Sequence, residues 1–215
     1  MRCFIALPLP PEAREALARA LSPLRSKWPR LRWTSPDGYH LTLAFLGEIG
    51  EPALACARRA LGAAAQGRSF AFSFSVYDFL PPRGAPRVLF ADLAEDPEGS
   101  SAFVHRVVNE ALEAEARQAG LPPLNREWAG IIPGEPGSGG GAGGFPRGGR
   151  PYRAHITLAR LNPGAPYPDR PALERASREA RFPGAPWTLD RCALYKSDLQ
   201  RGGAVYTELA SVALA

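Results

Sequence analysis

Two short stretches decide how this chain is read: His40-Leu41-Thr42-Leu43-Ala44-Phe45 and His155-Ile156-Thr157-Leu158-Ala159-Arg160. Each carries a His-x-Thr-Leu pattern in a run that alternates polar and apolar residues, the signature of a half-buried strand. Successive side chains of a strand point to opposite faces. Alternation therefore puts His40, Thr42 and Ala44 on one surface and Leu41, Leu43 and Phe45 on the other. In the second copy His155 and Thr157 share a face while Ile156 and Leu158 take the reverse. One copy alone reads as an ordinary half-buried strand. Two copies use two of the chain's three histidines, and a duplicated lobe would gather His40, Thr42, His155 and Thr157 into one cleft.

Working outward, residues 2–7 (RCFIAL) read as a buried strand. Pro10 and Pro11 precede Ala13, Leu17, Leu21 and Leu24, an apolar stripe at helical spacing that Pro23 is expected to end or kink. Ser35-Pro36-Asp37-Gly38 is a turn that delivers the chain into the first motif. Pro52 opens a helix carrying Leu54, Ala57 and Leu61. Residues 70–76 alternate, with Phe70, Phe72, Phe74 and Val76 on one side, and pair with a strand from Val88 to Leu93 through the Pro81–Gly84 loop. Residues 98–119 form the clearest helix, striped by Phe103, Val104, Val107, Val108, Ala111 and Leu112, with His105 at its solvated edge. The second motif sits in a strand over 152–160, followed by a helix from Asp169 through Arg181. Segments 187–197 and 204–214 read as a closing strand pair. Between 133 and 149 the sequence PGEPGSGGGAGGFPRGG has little to pack and much backbone entropy to lose, so a flexible insertion loop is expected there.

Composition narrows the class. With 215 residues, 45% hydrophobic and 22% charged, the chain is globular rather than disordered or fibrous. Gly 22 and Pro 23 exceed average usage and imply many turns. Cys3, Cys56 and Cys192 are few, odd in number and far apart, which favours a reducing, cytoplasmic setting. No run of about 18 apolar residues predicts a membrane span, and the apolar start is too short for a signal segment. The net charge of +5 is carried almost wholly by arginine, since only Lys27 and Lys196 are lysines. It is compatible with a phosphate or nucleic-acid partner and does not demand one.

The chemistry follows from residue types. Two histidines, one neutral and one protonated, are the parts of concerted general base and general acid catalysis. Two hydroxyls can donate to the oxygens of an anion, so a phosphodiester suits the cleft. A metal site suits it less, because neither motif offers Asp, Glu or Cys at ligand spacing. Nucleophilic catalysis suits it less too, because neither contains Cys or Ser. No cofactor, metal or protein partner is expected.

These residues resemble the two-histidine phosphoesterase superfamily, in its RNA 2′,3′-cyclic phosphodiesterase branch, also called 2′-5′ RNA ligase-like. The likeness is carried by RCFIALPLP, YHLTLAFLGE, AHITLAR and LYKSDLQRGGAVY. It implies one bilobal α+β domain over 1–215, pseudo-duplicated around 40–43 and 155–158, with helices outside and a cleft between two antiparallel sheets. It implies metal-independent hydrolysis of 2′,3′-cyclic phosphate ends of RNA, or of small cyclic nucleotides, to 2′-phosphomonoesters. His40 would be the proton donor, His155 the acceptor, and Thr42 and Thr157 the phosphate-binding hydroxyls. The reverse reaction, 2′-5′ ligation, and a non-catalytic RNA-end-binding role stay open. The chain departs from the family at Ala154, where proline is usual, and in the length of its glycine-rich stretch.

Further candidates are Arg160 for phosphate, although alternation sets it opposite His155, and Lys196 and Ser197 in the LYKS segment. Tyr152, Phe4 and Phe45 are candidates for stacking a base. Trp28, Trp33, Trp128 and Trp187 read as packing residues.

Overall fold

The computed structural model describes residues 1–80, 86–125, 152–161, 170–179, 182, 184, 186–200 and 203–215. The expected 133–149 insertion, the 81–84 loop and Trp128 lie outside them. Along the chain run β1 (Arg2–Pro8), α1 (Pro11–Lys27), β2 (Arg32–Trp33), a 3₁₀ turn (Pro36–Gly38), β3 (His40–Glu48) and α2 (Glu51–Leu61). They are followed by β4 (Phe70–Leu80), β5 (Val88–Asp96), α3 (Ser100–Gln118), β6 (His155–Arg160), α4 (Arg170–Glu179), β7 (Trp187–Leu189), β8 (Arg191–Gln200) and β9 (Gly203–Ala213). The class is α+β, as the sequence indicates. Helices α2 and α3 pack on each other and against β3, β5 and β8.

All strand pairs are antiparallel, in the order β7-β4-β5-β6-β3-β1-β8-β9, with β2 on β6. The two expected sheets, one around β4 and β5 and one around β1 and β8, meet where β3 joins β6. That junction is a single rung, Leu41 opposite Ile156. Both side chains are fully buried in the core, with 1% and 0% exposure.

Alternation fails at one repeated point. Opposite Ala6 and Ile5 of β1 stand Thr42 and Ala44, so Leu43 is an extra residue. Opposite Phe90 and Leu89 of β5 stand Thr157 and Ala159, so Leu158 is extra. Each is a β-bulge at the fourth residue of its motif, which buries two consecutive residues and reverses the faces beyond. Leu43 and Ala44, like Leu158 and Ala159, are all buried. Phe45 and Arg160 consequently join the histidine face, contrary to the alternation read from sequence. A further irregularity after Phe74 turns Val76 outward, 53% exposed.

Helix α1 carries Pro23 one turn before its end at Lys27, near the last turn as expected. Other expectations are corrected. Phe103 leaves the buried stripe of α3 and is exposed. The 187–197 segment is two strands broken at Asp190. Strand β7 pairs with β4, whereas β8 pairs with β1 and β9. The last residues close this break: the Leu214 amide donates to the Asp190 carbonyl, and Ala215 exchanges backbone bonds with Gly67 and Ser69.

Buried Asn109 of α3 supports the first bulge. Its Nδ2 donates to the carbonyls of Leu43 at 3.0 Å and His105 at 2.7 Å, and its Oδ1 accepts from Asn125 at 2.7 Å. A buried carbonyl without a partner costs about 1–3 kcal/mol. Asn109→Leu is therefore expected to destabilise the fold by about 2–4 kcal/mol in urea unfolding. A loss below about 0.5 kcal/mol would contradict this role.

Candidate active site

The Leu41–Ile156 rung positions the motifs. Continuing its antiparallel register sets His40 across from Thr157, and Thr42 across from His155. Because Leu41 and Ile156 face the core, these four side chains share the opposite face. In a regular ladder diagonal Cβ atoms lie about 7–8 Å apart, a separation over which two imidazoles can flank one small anion. Consistent with this, the charge of His155 acts on His40.

Both rings are held in the same way. His40 Nδ1 donates to the Gly38 carbonyl at 2.7 Å, and His155 Nδ1 donates to the Arg153 carbonyl at 2.8 Å. A carbonyl can only accept, so Nδ1 carries the proton in each ring and Nε2 keeps its lone pair in the neutral state.

The surroundings of the two rings differ. Phe4 stacks on His40 with centroids 4.7 Å apart, and Tyr206 meets His40 edge-on at 5.3 Å. Tyr195 stacks on the far side of this cluster, 5.3 Å from Phe4. The turn before His40 is tied to α1 by Arg25, whose Nη2 donates to the Thr34 carbonyl and, at 2.8 Å, to the Tyr39 hydroxyl. A Cβ on Gly38 would come within 3.1 Å of Thr34 and 3.2 Å of Tyr206, so any side chain there would push on both neighbours. His155 instead lies beside Phe90, edge-on at 5.2 Å.

Burial lowers His40 to about 4; the Gly38 bond opposes this, and the charges of His155 and Arg160 add to it. Arg160 is exposed, and its charge also acts to lower Tyr206 against the larger effect of burial. Its guanidinium thus bears on the first lobe from the second.

The remaining candidates divide. Phe45 is 45% exposed on the site face. Phe4 lies on that face but is buried beneath His40. Ser197 pairs with Tyr206 across β8 and β9 and so belongs to the same face. Lys196 pairs with Cys3 on the reverse face and forms an ion pair with Asp198 at 2.9 Å, so it does not join the site. Tyr152 stacks on His105 at 4.1 Å and lines a cavity of about 420 Å³ with Glu95, Glu98 and Ser101. It is therefore a flank residue, and His105 is half-buried rather than solvated. Sequence reasoning gave Tyr206, Gly38 and Phe90 no role; Tyr206 ends the family-like LYKSDLQRGGAVY segment, and the other two lie near a motif in sequence or on a strand paired with one. Among the described residues, no group of three or more His, Cys, Asp or Glu is placed to hold a metal ion. None of the described helices is long and apolar enough to cross a membrane.

The fold and the doubled motif define a two-histidine phosphoesterase. Residues 7–90 and 140–206 match the family model described as LigT like phosphoesterase, and the chain belongs to that family. It is 34% identical, over its whole length and 90% of the relative, to a Thermus thermophilus protein named RNA 2′,3′-cyclic phosphodiesterase. A Thermotoga maritima protein of the same name is 24% identical over 97% of this chain and 93% of its own. Among solved structures, TT0787 of Thermus thermophilus superposes with a TM-score of 0.66 at 29% identity, covering 100% of this chain and 98% of that one. E. coli LigT complexed with 3′-AMP shares the fold, with a TM-score of 0.61 at 22% identity over 99% and 97%.

Burial also lowers His105 to about 4. The unfolded chain takes up protons on both histidines below about pH 6.5, whereas the folded chain declines them until about pH 4. The contribution of these two histidines to stability is therefore complete above about pH 6.5 and is lost as pH falls toward 4. His105→Phe keeps a ring against Tyr152 and removes one titration. It is expected to flatten the acid loss by up to about 3 kcal/mol in denaturation between about pH 7 and 4. Parallel curves for variant and parent would refute the assignment.

Proposed function

We propose that the protein hydrolyses the 2′,3′-cyclic phosphate ends of RNA, or small cyclic nucleotides, to 2′-phosphomonoesters by two-histidine acid–base catalysis without a metal. The observation that carries this reading is the matched hold on His40 and His155, each fixed at Nδ1 and left with Nε2 for chemistry on one face. The names of the relatives support the same activity.

In this reading His155 Nε2 accepts a proton from water as its oxygen bonds to phosphorus. The bond from phosphorus to O3′ breaks, and His40 Nε2–H donates its proton to O3′. A 2′-phosphate and a free 3′-hydroxyl result, and solvent returns the proton from His155 to His40. Thr42 and Thr157 donate to the phosphoryl oxygens, while Arg160 supplies nearby positive charge. The exposed ring of Phe45 offers a stacking surface for a base.

Burial opposes the proton that His40 must donate. An anionic phosphoryl group beside the ring favours that proton, so substrate loads the acid. Turnover of a cyclic-phosphate-ended oligoribonucleotide is expected to persist in EDTA and to fall at least about a thousandfold in His40→Ala or His155→Ala. Loss of activity with chelator, or its survival in both variants, would overturn the proposal. Identification of the product as a 2′-phosphate or as a joined 2′-5′ strand separates hydrolysis from ligation.

The limbs of the pH profile belong to the coupled histidine pair rather than to either ring. Because bound phosphate favours the proton on His40, the limbs are expected at higher pH in kcat, which sees the bound complex, than in kcat/KM, which sees the free enzyme. Coincident limbs would remove His40 as the proton donor.

A further inference from the structure

We propose that Arg153 is a positioning residue for His155, acting through its own backbone carbonyl and through the charge of Asp92; this rests on the two-histidine reading. Both catalytic rings hang on the carbonyl two residues upstream, so each carbonyl must be held. Gly38 is held by the 3₁₀ turn and by close packing against Thr34 and Tyr206. Residues 152–154 have no regular structure to serve the same purpose. Tyr152 anchors one end of that segment against His105, and the Arg153 side chain holds the residue whose carbonyl takes the ring.

Its guanidinium forms a two-pronged pair with Asp92, Nε donating to Oδ1 at 3.0 Å and Nη2 to Oδ2. Nη2 also reaches Asp78 Oδ2 at 2.9 Å. The planar group lies over the Phe90 ring, 4.7 Å from its centroid, and Phe90 is the ring that meets His155 edge-on. Three contacts from β4 and β5 thus fix a residue whose carbonyl sets the tautomer of His155. A bidentate arginine pair has a defined orientation that a lysine cannot reproduce.

The clamp has a second effect. Asp92 is the ladder partner of His155, so an unpaired carboxylate there would compete for the imidazole. Arg153 occupies it. Among the described residues, the charged groups facing His155 are Asp92 from β5, Asp78 from β4, His40 from β3, and Arg153 and Arg160 on its own segment. Of these, Asp92 alone opposes it directly in the strand register.

The test compares Arg153→Ala, Arg153→Lys, Asp78→Asn and the double variant Arg153→Ala with Asp92→Asn. Arg153→Ala is expected to lower kcat about 10- to 100-fold with KM nearly unchanged, and to move the limb of kcat/KM that His155 governs to higher pH. The double variant should return that limb toward its original place without restoring kcat. Arg153→Lys and Asp78→Asn should fall between. Nitrogen NMR of the free protein provides a readout independent of turnover: His155 should lose its single Nδ1–H form in Arg153→Ala. A rise in KM alone, steeper with salt, would make Arg153 a substrate contact and overturn the proposal. An unchanged limb and an unchanged imidazole spectrum would do so as well. Parental protein inactive on cyclic ends, with the spectral change still present, would sink the proposed function and leave the positioning role standing.

Discussion

A pairing one residue long joins the two motif strands of this molecule, and its register governs everything placed around it. Leu41 against Ile156 leaves only one way for the flanking residues to face: imidazole toward hydroxyl, twice, on the side away from the core. A slip of one residue would turn every motif side chain to the other face. The full burial of both aliphatics makes such a slip costly, since each would have to leave the core for water. Packing on one face of the sheet therefore specifies chemistry on the other.

The bulges extend this logic. After two alternating steps, each motif inserts one leucine, buries two residues in succession and returns to the site face one position later. The first lobe thereby presents Phe45 and the second Arg160, so a backbone arrangement that is nearly symmetric carries an asymmetric pair of side chains. The histidines follow the same pattern. They share a hydrogen bond to an upstream carbonyl, yet one ring is enclosed by Phe4 and Tyr206 while the other lies beside an ion-paired arginine. The enclosure of the first ring disfavours its charged form and lowers His40.

Much of the fold was legible because periodicity reports burial. The stripe Ala13, Leu17, Leu21 and Leu24, the alternation of Phe70, Phe72 and Phe74, and the four motif residues all lie where their spacing indicates. Alternation failed where the backbone departs from a regular ladder. A bulge has no composition of its own, and nothing in Leu43-Ala44 or Leu158-Ala159 distinguishes it from a continuous strand. Lys196 misleads because its family-like segment points toward the site, whereas its place in the strand sets it beside Cys3. Arg153 lies next to the motif yet carries no local signal, since its role depends on Asp78 and Asp92, partners distant in sequence.

The break at Asp190 has a mechanical consequence. Strands β7 and β8 are neighbours in the chain yet lie in different halves of the sheet, and the terminal Leu214 and Ala215 stitch the gap between them. The halves are thus fastened at the central rung, at the β2–β6 pairing beside it and again at the far seam. A body pinned at separated points cannot swing like a jaw about any one of them. Ligand entry then requires side-chain and loop movement rather than a wide parting of the lobes, and the distance between the imidazoles is set before anything binds.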